Sequence, residues 1–150
     1  MTGTASHAPE PLDVVVVGEA LIDIVQSADG QKEYPGGSPA NVAYGLGLLD
    51  VKTGLLTAIG RDERGDAIAA HLRRAGVVLL PGSMSAGKTA TATARITADG
   101  SADYTFDIDW ALAPLALPYA PRILHPGSIP TFLVPGARVV WSLVEQGQGG

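Results

Sequence analysis

Short apolar runs mark predicted strands in the first part of the chain. Residues 14–17 are four valines without alternation, which is typical of a central strand buried on both faces. Residues 53–59 and 77–80 are two further runs of this kind. Residues 21–25 are apolar around one charge and are interpreted as a continuation of the first strand, before a turn signal at Asp29-Gly30.

Between these runs the apolar positions follow helical spacing. Residues 40–49 carry it at Val42, Leu46 and Leu49. Residues 66–75 carry apolar side chains on one face and arginines in the last turn, and Gly76 is the expected stop. Strands that alternate with helices in this way predict an α/β fold with a parallel sheet.

The pattern changes to strict alternation after this point. Residues 89–97 place threonines and an arginine on one face, with alanines and an isoleucine on the other. A turn sequence at 98–100 follows, and residues 102–108 alternate again. This predicts an antiparallel hairpin with one apolar face, inserted into a parallel-sheet protein. A strand at 123–125 and a helix at 137–146 complete the expected elements.

Composition excludes several function classes. The 150 residues are 46% apolar, which is enough for a domain with a real core. The net charge of −5 without a basic stripe argues against a nucleic-acid partner. There is no cysteine, and hence no disulfide, thiolate metal site or cysteine nucleophile. The N-terminus lacks signal-peptide features and the apolar runs are too short to span a bilayer, so we expect a cytoplasmic protein without a membrane partner.

A glycine-rich segment, Gly-Gly-Ser-Pro-Ala-Asn at 36–41, precedes the first predicted helix. Two glycines let a backbone approach a small ligand closely, and a helix N-terminus offers free N–H groups. Asn41 can both donate and accept hydrogen bonds, as neighbouring sugar hydroxyls require. The alternative is a structural turn in which Ser38 caps the helix and Pro39 is its first residue.

Asp23 is a carboxylate just beyond the first buried strand. In open α/β sheets, ligands bind beyond the carboxyl ends of the strands. A carboxylate at that place can accept hydrogen bonds from two sugar hydroxyls. The alternative is an acidic loop residue in solvent.

Residues 82–89, Gly-Ser-Met-Ser-Ala-Gly-Lys-Thr, match the P-loop pattern for nucleotide binding. That mechanism requires a helix after the glycine-rich turn, so that the helix N-terminus faces the phosphates. The residues that follow are threonine-rich and β-forming, which favours a turn that leads into the hairpin. A helix over 89–97 would instead favour a P-loop protein.

In order and spacing these motifs resemble the start of a PfkB/ribokinase-type carbohydrate kinase, closest to fructokinase. The motifs are the first strand with Gly18-Glu19, then Asp23, then residues 35–43, residues 56–65 and the His-Pro-Gly-Ser of 125–128. The resemblance covers about residues 12–145, which correspond to the N-terminal half of a family member's chain.

The resemblance implies a ribokinase-like α/β fold, with residues 1–11 as a loose lead-in, 12–146 as part of the kinase domain and 147–150 as a tail. It implies a lid hairpin at about 89–108, through which two copies could form a homodimer. It implies that the substrate is a sugar, with Asp23, Gly36, Gly37 and Asn41 at its hydroxyls and Phe106 over its apolar face. ATP with Mg²⁺ would be the phosphoryl donor.

The chain also departs from the family pattern. Asp50 stands where the family signature has glycine or serine, at a site after a helix where a left-handed residue is common and Asp is tolerated. Pro126 stands where a threonine is expected, which removes a backbone donor.

The largest departure concerns the Gly-Ala-Gly-Asp motif of the family, whose Asp is the catalytic base and whose amides hold the phosphate. It does not occur in these 150 residues. The resemblance therefore implies a kinase family that phosphorylates a sugar hydroxyl. We expect this chain to be a truncated member that has no catalytic residue, ATP site or metal site of its own and is inactive alone. The alternative is a non-catalytic remnant that binds sugar or dimerises.

Overall fold

Four parallel strands form the first sheet, with helices on both sides of it. The computed structural model describes residues 10–117 and 120–147. The strands of this sheet are β1 (Val14–Val17), β4 (Thr53–Leu56), β5 (Val78–Leu79) and β8 (Ile123–Pro126). Across the sheet their order is β5-β4-β1-β8.

The valines of β1 lie at the centre of this sheet and divide the core in two. Val14 and Val16 pack with helices α1 (Ser38–Leu48) and α2 (Glu63–Arg74). Val15 and Val17 pack on the opposite face with α3 (Gly136–Gly147) and the segment 110–117. The prediction of an internal strand buried on both faces is confirmed, because a strand between two helical layers has no polar face.

A second sheet is separate from the first, and its strands are β2 (Leu21–Ser27), β3 (Gly30–Gly36), β6 (Ala90–Ile96) and β7 (Ala102–Asp107). Across this sheet their order is β3-β2-β6-β7. Strands β6 and β7 pair antiparallel and do not join the first sheet, as predicted for the hairpin. Strand β2 pairs antiparallel with β3 and parallel with β6, and so connects the β2–β3 hairpin to the β6–β7 hairpin.

Residues 21–25 do not continue the first strand, and that prediction is wrong. The chain leaves the first sheet at Gly18, whose backbone lies against the ring of Pro39; a Cβ there would be 2.5 Å from the proline Cβ. The residues after Ala20 pair with new partners in the second sheet. Strand β3 was not predicted, because it is polar and mostly exposed and carries no apolar alternation.

The helix ends also differ from the predictions. Gly37, at φ 98°, is the N-cap of α1, and Ser38 is already helical and forms no capping bond, so the predicted serine cap is wrong. Helix α2 begins earlier than predicted because Asp62 caps it by accepting a hydrogen bond from the Gly65 N–H. Asp50 has φ 59°, which confirms the left-handed residue expected after α1.

The P-loop alternative is wrong, because it requires a helix directly after the glycine-rich turn. Residues 82–89 are followed by strand β6, which pairs with β2 and β7 along its length. The glycine-rich turn therefore does not continue into a helix, as the P-loop mechanism requires, and the matching letters do not form a P-loop.

Candidate functional site

An open concavity of about 600 Å³ lies beyond the carboxyl end of β1, between the start of α1 and one face of the second sheet. Four of the five candidate residues line it, although they come from β2, the α1 N-terminus and β7. The lining residues are Glu19, Leu21, Asp23, Gly37, Ser38, Asn41, Val42, Ala92, Phe106 and Ile129.

Asp23 lies in a row of residues that crosses the second sheet. It is opposite Ala92 on the parallel neighbour β6, and Ala92 is opposite Phe106 on β7. Residues opposite each other on paired strands point to the same side of the sheet, so the carboxylate and the aromatic ring share one face with a small alanine between them. Partial burial raises the pKa of the Asp23 carboxyl.

Gly36, the fifth candidate, supports the site rather than lining it. A Cβ on Gly36 would meet the Asp23 carboxylate, with the carboxyl carbon only 2.9 Å away. The absence of a side chain at Gly36 therefore leaves the space in which the Asp23 carboxylate lies.

Gly37 and Asn41 form the start of α1 at the edge of the concavity. Gly37 has a positive φ, and a Cβ there would lie 2.7 Å from the carbonyl oxygen of Glu19. The Asn41 N–H donates to the Gly37 carbonyl at 2.9 Å, while its side chain is exposed and faces the concavity. The side-chain amide is thus free to donate and accept hydrogen bonds with a ligand.

The concavity also has apolar lining residues. Phe106 is 65% exposed and stacks near Tyr104, with ring centroids 6.4 Å apart. Leu21, Val42 and Ile129 add aliphatic surface. A lining with both polar and apolar groups suits a sugar ring, which presents hydroxyls at its edge and C–H groups on its faces.

The sequence interpretation assigned no role to Glu19, a buried carboxylate in this concavity. Glu19 lies between β1 and β2 and is only 5% exposed, and its Oε2 has no hydrogen-bond partner. Burial raises the pKa of its carboxyl, and a hydrogen bond that the carboxyl accepts from the Glu19 backbone N–H opposes this with a smaller effect. The available signal was an acidic residue directly after a buried strand, a position at which an unpaired charge is costly.

Asp62, the N-cap of α2, joins this helix to the second sheet. Its Oδ1 accepts hydrogen bonds from the Gly65 N–H at 2.8 Å and the Thr89 hydroxyl at 2.6 Å, and its Oδ2 accepts the Thr89 N–H at 2.8 Å. Thr89 directly precedes β6, so this carboxylate holds the second sheet against the N-terminus of α2. A two-point ion pair between Arg64 and Glu33 of β3 makes a second link, with distances of 2.6 and 3.0 Å.

The described ranges 10–117 and 120–147 contain neither a candidate metal site nor a candidate membrane-spanning helix. No group of three potential ligands among His, Cys, Asp and Glu is placed to hold a metal ion there. In the same ranges, every helix is too short or too polar to cross a membrane.

Proteins that are similar to this chain in sequence or in structure are sugar kinases. Fructokinase-2 of Solanum lycopersicum is 32% identical over 139 residues, which are 81% of this chain and 42% of that protein. A 5-dehydro-2-deoxygluconokinase of Geobacillus kaustophilus is 33% identical over 76 residues, 45% of this chain and 23% of that protein. A crystal structure of fructokinase with bound ATP from Xylella fastidiosa superimposes with a TM-score of 0.73 at 23% identity, over 91% of this chain and 49% of that one.

The chain thus spans less than half the length of these two relatives. The profile of the family described as "pfkB family carbohydrate kinase" matches residues 11–116, which is more than half of the chain. The ribokinase-like fold and the family match agree with the resemblance seen in the motifs. This chain belongs to the pfkB family of carbohydrate kinases.

Proposed function

We propose that this chain binds a sugar in the concavity beside Asp23 and supplies the sugar-binding half of a fructokinase-like, ATP-dependent kinase of the cytoplasm. The observation that carries the proposal is the convergence of Asp23, Gly37, Asn41 and Phe106 on one concavity. The carboxylate and the amide bind hydroxyls, and the aromatic ring covers the C–H face. Gly36 keeps room for the carboxylate.

Phosphoryl transfer needs more than this binding surface. It requires a base for the acceptor hydroxyl and groups that stabilise charge at the phosphates. The Gly-Ala-Gly-Asp motif that supplies both in the family does not occur in these 150 residues, and the one P-loop-like stretch leads into a strand. We therefore assign no residue of this chain to ATP or Mg²⁺.

The experiment is a titration of the labelled 150-residue chain with fructose, followed by two-dimensional NMR. We expect shifts confined to the amides of the concavity, and their loss in Asp23→Asn with the rest of the spectrum unchanged. Asp29→Asn, an exposed acid in the β2–β3 turn, is the matched control and retains the shifts. Fructose shifts that persist in Asp23→Asn would contradict the assigned site.

A coupled assay for ADP release tests the second half of the proposal. Removal of a general base alone slows catalysis by about 10²–10⁴-fold, and this chain also lacks the phosphate-holding turn. We expect no sugar-dependent turnover with ATP and Mg²⁺. Turnover that is abolished in Asp23→Ala would show that this half carries more of the mechanism.

The non-catalytic alternative makes the hairpin a contact between two copies. Strand β7 is the outer strand of the second sheet, and Tyr104 and Phe106 are exposed on it. Sedimentation of the wild type and of Tyr104→Lys separates the possibilities, because only a dimer through this strand dissociates on substitution. The DNA that follows codon 150 also discriminates, since a Gly-Ala-Gly-Asp half in any frame favours a kinase gene.

A further inference from the structure

Glu19 is a buried carboxylate, and one of its two oxygens has no hydrogen-bond partner among the described residues. It is 5% exposed, and its Oε2 makes no hydrogen bond. A buried polar atom without a partner costs free energy that a ligand can recover by bonding to it. Glu19 lines the same concavity as Asp23 and Asn41, so a molecule bound there comes within reach of its side chain.

The charge of the concavity has one sign. Glu19 and Asp23 are its two ionisable lining residues, and none of the described residues that line it is an arginine or lysine. Outside the lining, Arg64 is paired with Glu33 and Lys88 with Asp107, both at 2.6 Å.

We infer that Glu19 is a further sugar-binding residue and that, with Asp23, it restricts the concavity to uncharged sugars, against sugar acids and sugar phosphates. This inference rests on the sugar site proposed above and deepens it. A hydroxyl of a neutral sugar donates to the unpartnered Oε2, and satisfies it. A carboxylate or phosphate brings a further anion beside these two acids, and the described lining contains no cation to compensate it.

The inference separates two substrate classes within one family. Fructose is uncharged, whereas 5-dehydro-2-deoxygluconate carries a carboxylate, and the names of the two relatives above cover both classes. The two acidic residues of the lining favour the uncharged class, to which fructose belongs.

The test measures dissociation constants of the 150-residue chain for fructose, gluconate and fructose 6-phosphate, by NMR titration. Wild type should bind fructose at least about tenfold more tightly than either anion, as expected when a charged ligand meets unpaired like charges. Glu19→Leu removes the acceptor and should weaken fructose binding by about tenfold or more. Glu19→Gln keeps size and hydrogen bonding, and should keep fructose binding while the preference for fructose over gluconate falls severalfold.

Glu145→Gln, the same chemical change at an exposed position of α3, is the matched control and should change neither constant. If Glu19→Leu does not fold, Glu19→Gln still decides the charge selection, and an unchanged fructose-to-gluconate ratio overturns it. Fructose binding that is lost in Asp23→Asn but intact in Glu19→Leu overturns this inference alone. A wild-type chain that binds none of the three sugars overturns both it and the proposed site.

Discussion

The carboxylate of Asp23 occupies the space that a side chain on Gly36 would need. A Cβ there would approach the carboxyl carbon to 2.9 Å, so any larger residue must displace the candidate sugar ligand. The two residues are neighbours across the β2–β3 hairpin, where Gly36 is paired with Leu21. Gly36 thus acts on ligand binding through the position of Asp23.

Gly36→Ala should therefore weaken fructose binding by about tenfold, because the carboxylate loses its position while the fold persists. Binding is measured by NMR titration, and folding by circular dichroism. Gly45→Ala is the matched control, since a Cβ at this helical glycine meets nothing within 4 Å. That control should leave binding unchanged and raise the free energy of unfolding by up to about 1 kcal/mol. Unchanged affinity in Gly36→Ala would contradict the assigned role of Asp23.

Gly37→Ala should destabilise the chain more than Gly30→Ala. Both glycines have a positive φ, of 98° and 122°, so both substitutions strain the backbone by about 1–3 kcal/mol. Only at Gly37 does the added Cβ also meet backbone, the carbonyl oxygen of Glu19 at 2.7 Å, whereas Gly30 faces open space. Urea unfolding of the two variants isolates the contact between the α1 N-terminus and the β1–β2 connection. Equal losses in the free energy of unfolding would show that this contact relaxes freely.

Asp62→Ala should lower the free energy of unfolding by about 2 kcal/mol, because it removes a helix cap and the acceptor for Thr89. Thr89→Val removes only the hydroxyl that donates to Asp62 and accepts from Gly60. The two changes together should cost less than their sum, because the side chains share one hydrogen-bond network. Urea unfolding of all four proteins measures this coupling. Strict additivity would contradict the network.

Asp99 should make the hairpin turn sensitive to acid. Hydrogen bonds from Thr97 and Ser101 lower the pKa of its carboxyl to about 2, below the usual value of 3.8. The unfolded chain therefore binds the proton at a higher pH than the folded chain does. The contribution of Asp99 to stability is full above about pH 4 and is lost as the pH falls towards 2.

The pKa of Asp99 is read directly from the pH dependence of its carboxyl carbon shift. In Asp99→Asn the melting temperature should fall at neutral pH and match the wild type near pH 2. Asp29→Asn, in the turn of the other hairpin, controls for the loss of a surface charge. A carboxyl of Asp99 that titrates near 3.8 would contradict the turn network.

Local sequence patterns determined much of this fold. The four valines of β1 required a two-sided core, and the alternation over 89–108 required a sheet with one apolar face. The glycines before Asn41 marked the start of α1, and Asp50 marked the left-handed residue after it. These features depend on the periodicity of apolar residues and on backbone conformations that few residues tolerate. Both are properties of a single segment, so they can be recognised in the sequence of that segment.

The tertiary structure alone decided which residues meet. Strand β3 carries no apolar pattern and exists because β2 offers it an edge, while the turn at Gly18 sends β2 into a second sheet. The row from Asp23 through Ala92 to Phe106 arises only once β2 lies beside β6. Burial and alignment across strands depend on contacts between segments distant in the chain, and a pattern within one segment does not contain them.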